Sequence, residues 1–190
     1  QVLFLPRHGP DHTIPPHRIN FRANIAALNE VGCTDILATN AVGSLRPYIA
    51  PSHLVLPDQY IDFTKTRHST FFDDFSEGAA HIDQTQPYSA SLREKGHTAA
   101  QKLGLSLHDG AVYLCAEGPR FETPAEIRMF AGWGADLVGM TGVPEVVLAN
   151  ELEIRYLSIC IVTNYAAGIS GGPIDHEEVI EIMDSRTDDL

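Results

Sequence analysis

A chain of 190 residues with 44% hydrophobic content has enough apolar material for one α/β domain with its own core, and needs neither disulfides nor a metal to hold it together. Its formal net charge of −12 excludes nucleic acid as a partner unless a local basic stripe exists, and none is found. A small anion is not excluded, because one cluster of donors can hold it inside an acidic protein.

Cys33, Cys115 and Cys160 are scattered through apolar segments and odd in number, which predicts reduced, buried thiols in a cytoplasmic protein. No apolar run reaches the roughly 18 residues of a membrane span, and no charged-then-apolar leader precedes the first element, so a soluble protein is expected.

In chain order, Val2 to Leu5 reads as a strand that ends at Pro6 and delivers Arg7, His8 and Gly9 at its mouth. Asn20 to Val31 carries Phe21, Ile25, Leu28 and Val31 at helical spacing and stops at Gly32. Cys33 to Thr39 is the next buried strand, and this strand, helix, strand order points to parallel neighbours with helices on the faces. Leu54 to Leu56 and Tyr60-Ile61 are short strands. Ser91 to Leu103 is a helix with Leu92, Ala99, Ala100 and Leu103 on its apolar side, and Ala111 to Ala116 is a strand. Thr123 to Phe130 is a helix in which Thr123 caps, Pro124 occupies the first turn and Glu126 closes a capping box. Val143 to Leu152 and His176 to Met183 are further helices, and Tyr156 to Thr163 is a continuous apolar strand. Lys65 to Tyr88 has no period, and long irregular segments of this kind more often serve a site or an interface than nothing.

Some residue types carry chemistry. Arg7 is a planar, permanently charged fork suited to two phosphate oxygens, and His8 adds a donor beside it. Thr39-Asn40-Ala41-Val42-Gly43-Ser44 follows a buried strand, where free backbone N–H groups and a glycine-permitted turn would cradle an anion. Glu122 and Asn164 together match a 6-oxopurine edge: a carboxylate accepts from N1–H while the amide spans O6 and N7. Each has an ordinary alternative: a surface turn for Arg7-His8-Gly9, a helix-start carboxylate favoured by the dipole for Glu122, plain core for Met140.

Four segments, Arg7-His8-Gly9, Gly118-Pro119-Arg120-Phe121-Glu122-Thr123, Gly139-Met140-Thr141-Gly142-Val143-Pro144-Glu145 and Thr163-Asn164-Tyr165-Ala166-Ala167-Gly168, together resemble the purine nucleoside phosphorylase and 5'-methylthioadenosine phosphorylase family over nearly the whole chain. The resemblance implies a single α/β domain over 1–190 with a mixed central β-sheet flanked by helices, working as a homotrimer without a cofactor, inorganic phosphate being a co-substrate. Family members also carry an earlier strand and a glycine-rich turn that this sequence does not contain, and the C-terminal helix reads as cut short. By resemblance, phosphate is met by Arg7, His8, Asn40, Ala41 and Thr141. The nucleoside is met by Phe121, stacked on the purine, with Glu122, Met140 at the ribose, Asn164, Ala166, His12, His81 from an adjacent subunit, and Val179 with Met183 as an apolar wall. Catalytic roles fall to Asn164, Glu122 and His8. The methylthioadenosine enzymes read Thr-Asp-Tyr-Asp where this chain has Thr163-Asn164-Tyr165-Ala166, and have a small hydroxyl residue at Glu122 and Thr at Asn40. The first two departures favour hypoxanthine or guanine over adenine. The 5' substituent, hydroxyl or methylthio, stays open.

Two other classes remain. His8, Asp11, His12 and His17 could form a metal-dependent hydrolase site, although Pro10, Pro15 and Pro16 break any helical ligand pair. A non-catalytic nucleoside-binding protein would need the base donors but not the anion donors.

Overall fold

The computed structural model describes residues 2–76, 78–170 and 176–186. Along the chain a short turn of 3-10 helix (Pro16–Arg18) leads into α1 (Phe21–Glu30), β1 (Asp35–Ser44), β2 (Leu54–Leu56), β3 (Gln59–Phe63), α2 (Ala90–Leu103), β4 (Leu107–Asp109), β5 (Val112–Ala116), α3 (Pro124–Gly132), β6 (Leu137–Gly139), α4 (Glu145–Glu151), β7 (Arg155–Tyr165) and α5 (His176–Ser185). The strands form one sheet in the order β3-β5-β6-β1-β7-β2-β4. It is mixed: β1/β7, β2/β4, β3/β5 and β5/β6 are parallel, whereas β1/β6 and β2/β7 are antiparallel.

Side chains alternate between the faces of a strand, and the core divides accordingly. Tyr113 and Cys115 of β5, with Ile36 and Ala38 of β1 and Tyr156 of β7, pack under α1 and α4 through Phe21, Ile25, Val146 and Leu148. Leu114 and Ala116 of β5 point to the opposite face and meet Ile127 and Phe130 of α3. Leu56 and Leu157 meet Leu92 of α2 on that same face. Helices therefore flank both sides, as a sheet with two apolar faces requires.

Local signals placed the helix starts. Asn20 caps α1 by accepting from Ala23 N, and Thr123 and Glu126 form the capping box of α3. Elsewhere the structure corrects the sequence reading. Val2 to Leu5 is not a strand: none of the seven strands pairs with it, and Val2 and Phe4 are exposed, so the apolar run lacks the ladder partner that would make it one. The Thr39 to Ser44 cradle is not a turn but the second half of β1. Its residues pair with β7, and the backbone N–H groups expected to meet an anion sit in a strand. Val31, Ala99 and Leu103 are exposed rather than core, Cys33 is half-buried, and β4 and β6 lie in stretches that carried no strand signal.

Lys65 to Tyr88 is irregular but tied down. The buried Arg67 side chain donates to the carbonyls of Val143 (2.6 Å), Glu117 (2.8 Å) and Ala116 (3.3 Å), joining the loop to the end of β5 and the turn before α4. Glu151 of α4 accepts from Thr70 Oγ1 at 2.6 Å and Phe71 N at 2.7 Å. These bonds replace a regular ladder.

Candidate active site

One end of the site forms around a bulge. β1 and β7 stay in register from Asp35 opposite Arg155 to Val42 opposite Val162, then shift so that Gly43 faces Asn164. The extra residue, Thr163, re-aims the side chains beyond it. A Cβ on Gly43 would lie 3.3 Å from Asn164 Nδ2, so glycine leaves room for the amide there. Asn164 is held locally: its Oδ1 accepts from Thr163 Oγ1 at 2.9 Å and its Nδ2 donates to Tyr165 O at 2.9 Å. One amide N–H stays available.

The adjoining segment comes from the start of α3. Gly168 packs on Pro124, where a Cβ would fall 2.9 Å from Pro124 Cβ, so the segment carrying Asn164 adjoins the segment carrying Glu122. Glu122 is 8% exposed, and its Oε1 has no hydrogen-bond partner. Burial pushes its carboxyl above the ordinary range, with Glu126 adding to the rise, while its own backbone N–H and Arg120 oppose it. Phe121 beside it is exposed. Ala166 is core, packed with Ile127 and Val138, so its methyl does not line an open pocket. Met140 is half-buried over Gly118, whose Cβ would lie 2.6 Å from Met140 Sδ and 3.5 Å from Pro16.

At the other end, Gly139-Met140-Thr141-Gly142 wraps the buried phenol of Tyr113. Tyr113 Oη accepts from Thr141 N (3.3 Å) and Gly142 N (3.1 Å), and a Cβ on Gly139 or Gly142 would strike the ring. Thr141 Oγ1 then donates to Asn40 Oδ1 at 2.6 Å, and Asn40 Nδ2 donates to Ser158 Oγ at 2.7 Å. Asn40, 2% exposed, is thus a buried link that fixes Thr141 rather than the phosphate contact expected of it. Ala41 is exposed on the other face of β1.

Arg7 departs from expectation in an informative way. Its Nε and Nη2 bond Glu145 Oε2 and Oε1 at 2.9 and 2.6 Å, and its Nη1 donates to Thr39 O at 2.8 Å. The fork expected to take two phosphate oxygens is filled by a carboxylate, because a charge this buried must be paired. Burial alone would lower the Arg7 pKa, and the neighbouring Glu145 more than reverses that.

His8 Nδ1 lies 2.8 Å from Ile14 O, which can only accept, so Nδ1 carries the proton and Nε2 is the free nitrogen. Burial first, then His12 and Arg7, hold its pKa below the ordinary value against the pull of Ile14 O and Glu145. The expected donor is, in the neutral ring, an acceptor. His12 stacks on it at 4.3 Å between centroids. Among the described residues no group of three or more His, Cys, Asp or Glu is placed to hold a metal ion. His81 is exposed in the Lys65 to Tyr88 loop and sits edge-on to Phe75, and Val179 is half-buried on α5, which packs against β7.

The two ends are linked by β1. Asn40 binds Thr141 and Gly43 adjoins Asn164, and three steps of a strand span about 10 Å. Sequence reasoning missed Glu145, Tyr156, Ser158 and Arg67. A signal for Glu145 existed: it is the lone charge in the apolar run from Val143 to Ala149.

Over residues 1–190 the chain matches the family described as the Phosphorylase superfamily, and it belongs to that family. It is 53% identical over 190 residues to a probable S-methyl-5'-thioinosine phosphorylase of Methanothermobacter thermautotrophicus, covering all of this chain and 65% of the relative. To the 6-oxopurine nucleoside phosphorylase of Pyrococcus furiosus it is 50% identical over 195 residues, covering all of this chain and 74% of that protein. Among solved structures, the methylthioadenosine phosphorylase of Schistosoma mansoni in complex with tubercidin superposes with a TM-score of 0.89 at 34% identity, over 95% of this chain and 70% of the other. The chain thus spans roughly two thirds to three quarters of the curated relatives' length.

Proposed function

We propose that the protein cleaves 6-oxopurine nucleosides by phosphorolysis, releasing hypoxanthine or guanine and a ribose 1-phosphate, with 5'-methylthioinosine among its substrates. The observation that carries this is Glu122: a buried carboxylate oxygen with no partner, on a segment adjoining the one that carries Asn164. A 6-oxopurine supplies the missing donor from N1–H, whereas adenine presents an N1 acceptor and leaves two acceptors face to face. The names of the Methanothermobacter and Pyrococcus relatives support the same class. Solved neighbours that hold adenine or tubercidin are less similar, at 33 to 34% identity.

In this reading the bond from sugar to N9 breaks far ahead of phosphate attack, so the enzyme's work is electrostatic. Asn164 donates its remaining N–H to N7 as negative charge builds on the departing base. Phosphate is met by the N–H bonds Arg7 retains and by His8 Nε2, which as an acceptor fits a protonated phosphate oxygen. Met140 and His12 border the sugar. The reaction needs no cofactor. The working assembly is a homotrimer in which His81 reaches the 5' end of a neighbour's nucleoside. A cytoplasmic setting agrees with Cys115 and Cys160, free thiols whose pKa burial pushes up to about 11 and about 12.

The test is turnover of inosine, guanosine, methylthioinosine, adenosine and methylthioadenosine with and without phosphate, with the sugar product identified by phosphorus NMR. Phosphate-dependent release of ribose 1-phosphates from the oxo-purines is expected. Hydrolysis without phosphate, base binding without turnover, or a preference for the amino-purines would overturn the reading.

A further inference from the structure

The Glu145 carboxylate is too well placed to be a bystander. It is 5% exposed and lies at the first position of α4, held from two sides. Arg7 approaches in a bidentate geometry, through Nε at 2.9 Å and Nη2 at 2.6 Å, while Tyr156 Oη donates to Glu145 Oε1 at 2.8 Å from the floor of the sheet. Thr39 O takes one proton of Nη1. A guanidinium bonded in this way retains one N–H on each terminal nitrogen, and its plane is held directly by β1 and α4, with β7 bracing the carboxylate of α4. Arg7 sits in a turn closed by Gly9 N on Pro6 O at 2.9 Å, and these side-chain bonds fix the far end of its side chain.

We infer that Glu145, seated by Tyr156, is the positioning residue for Arg7: it takes the side edge of the guanidinium and so leaves the terminal N–H pair pre-aimed at an oxyanion. The inference rests on the phosphorolysis reading for the identity of that anion. It has a further consequence. The Arg7 and Glu145 charges cancel, so the site attracts anions through two directed N–H bonds rather than a net positive field, and what Glu145 contributes is direction. An unpaired Arg7 would carry more charge into the same place and hold phosphate less well aligned.

Two variants of the full-length protein test this, with inorganic phosphate as the probe. Glu145→Gln removes the charge and one acceptor while keeping the shape. Tyr156→Phe removes only the bond that seats Glu145 and leaves every charge in place, so it guards against a Glu145 variant that fails to fold. Calorimetric affinity for phosphate and the two KM values are measured on each. The expected result is a loss of phosphate affinity of about tenfold or more for Glu145→Gln and about fivefold for Tyr156→Phe, with the nucleoside KM unchanged. Unchanged phosphate affinity in both variants, or phosphate and nucleoside KM moving together with the unfolding temperature, would mean a purely structural pair and overturn the inference. Phosphate binding without turnover in the wild type would instead defeat the functional reading and still leave the role of Glu145 decided by the affinities.

Discussion

At the scale of single residues, the proposed base selectivity rests on Glu122 and Asn164, and each makes a distinct prediction. The Glu122 carboxyl titrates above its ordinary value because burial disfavours its charge. Ionised, it accepts from N1–H about twice as strongly as when protonated, so kcat/KM for inosine should fall as pH drops through that raised pKa, and the acid limb should vanish in Glu122→Gln. A pH profile of the two enzymes checks this, and an identical limb in both would remove Glu122 from the base site. Stability moves in the opposite direction. The folded state binds this proton more tightly than the unfolded chain, so the stabilisation is complete below the unfolded pKa and is lost as pH rises through the folded one. For Asn164, replacement by Asp exchanges an N–H donor for an acceptor of the hydrogen bond that adenine's amino group donates. Asn164→Asp should shift the adenosine to inosine ratio of kcat/KM by about tenfold or more, and steady-state kinetics with an unchanged ratio would contradict it. Both residues were singled out through the family resemblance, which the 6-oxopurine edge gives a chemical reason. Glu145 is just as distinctive, but its partner Arg7 lies at the other end of the chain, and no local rule connects them.

At the scale of elements, legibility depended on how local the determining force is. The capping box of α3 was legible, since Thr123 and Glu126 bond backbone groups within one turn of themselves. Strands were harder. Asn40 and Gly43 suggest a turn when taken alone, yet pairing with β7 extends β1 through both, and the glycine serves the close approach of Asn164 rather than a bend. β4 and β6 are three residues each and exist only through their ladders with β2, β5 and β1. The Lys65 to Tyr88 loop shows the same dependence, because its order comes from Arg67 reaching three distant carbonyls. Arg67→Met should therefore cost about 3 kcal/mol or more, the loss of several charged hydrogen bonds from a buried site. Urea unfolding measures the cost, and limited proteolysis should show new cleavage within 65–88. A variant as stable and as resistant as the wild type would show that the loop is held by something else.

At the scale of the whole molecule, a net charge of −12 gives an anion no long-range attraction, so the proposed phosphate site depends on directed donors. The mixed sheet brings the candidate residues together. The bulge in β7 sets Asn164 beside Gly43, α3 brings Glu122 to the same wall through Pro124 and Gly168, and β1 carries the distance from that wall to Thr141. This meeting of segments far apart in sequence comes from strand order, which alternating apolar runs do not encode. The most direct measurement of the central claim is the ratio of kcat/KM for inosine over adenosine in the wild-type protein at saturating phosphate. An unmatched buried partner costs about 1–3 kcal/mol, so the ratio should favour inosine by about ten- to a hundredfold. A ratio at or below one would contradict the assignment of Glu122 and Asn164 to a keto-purine.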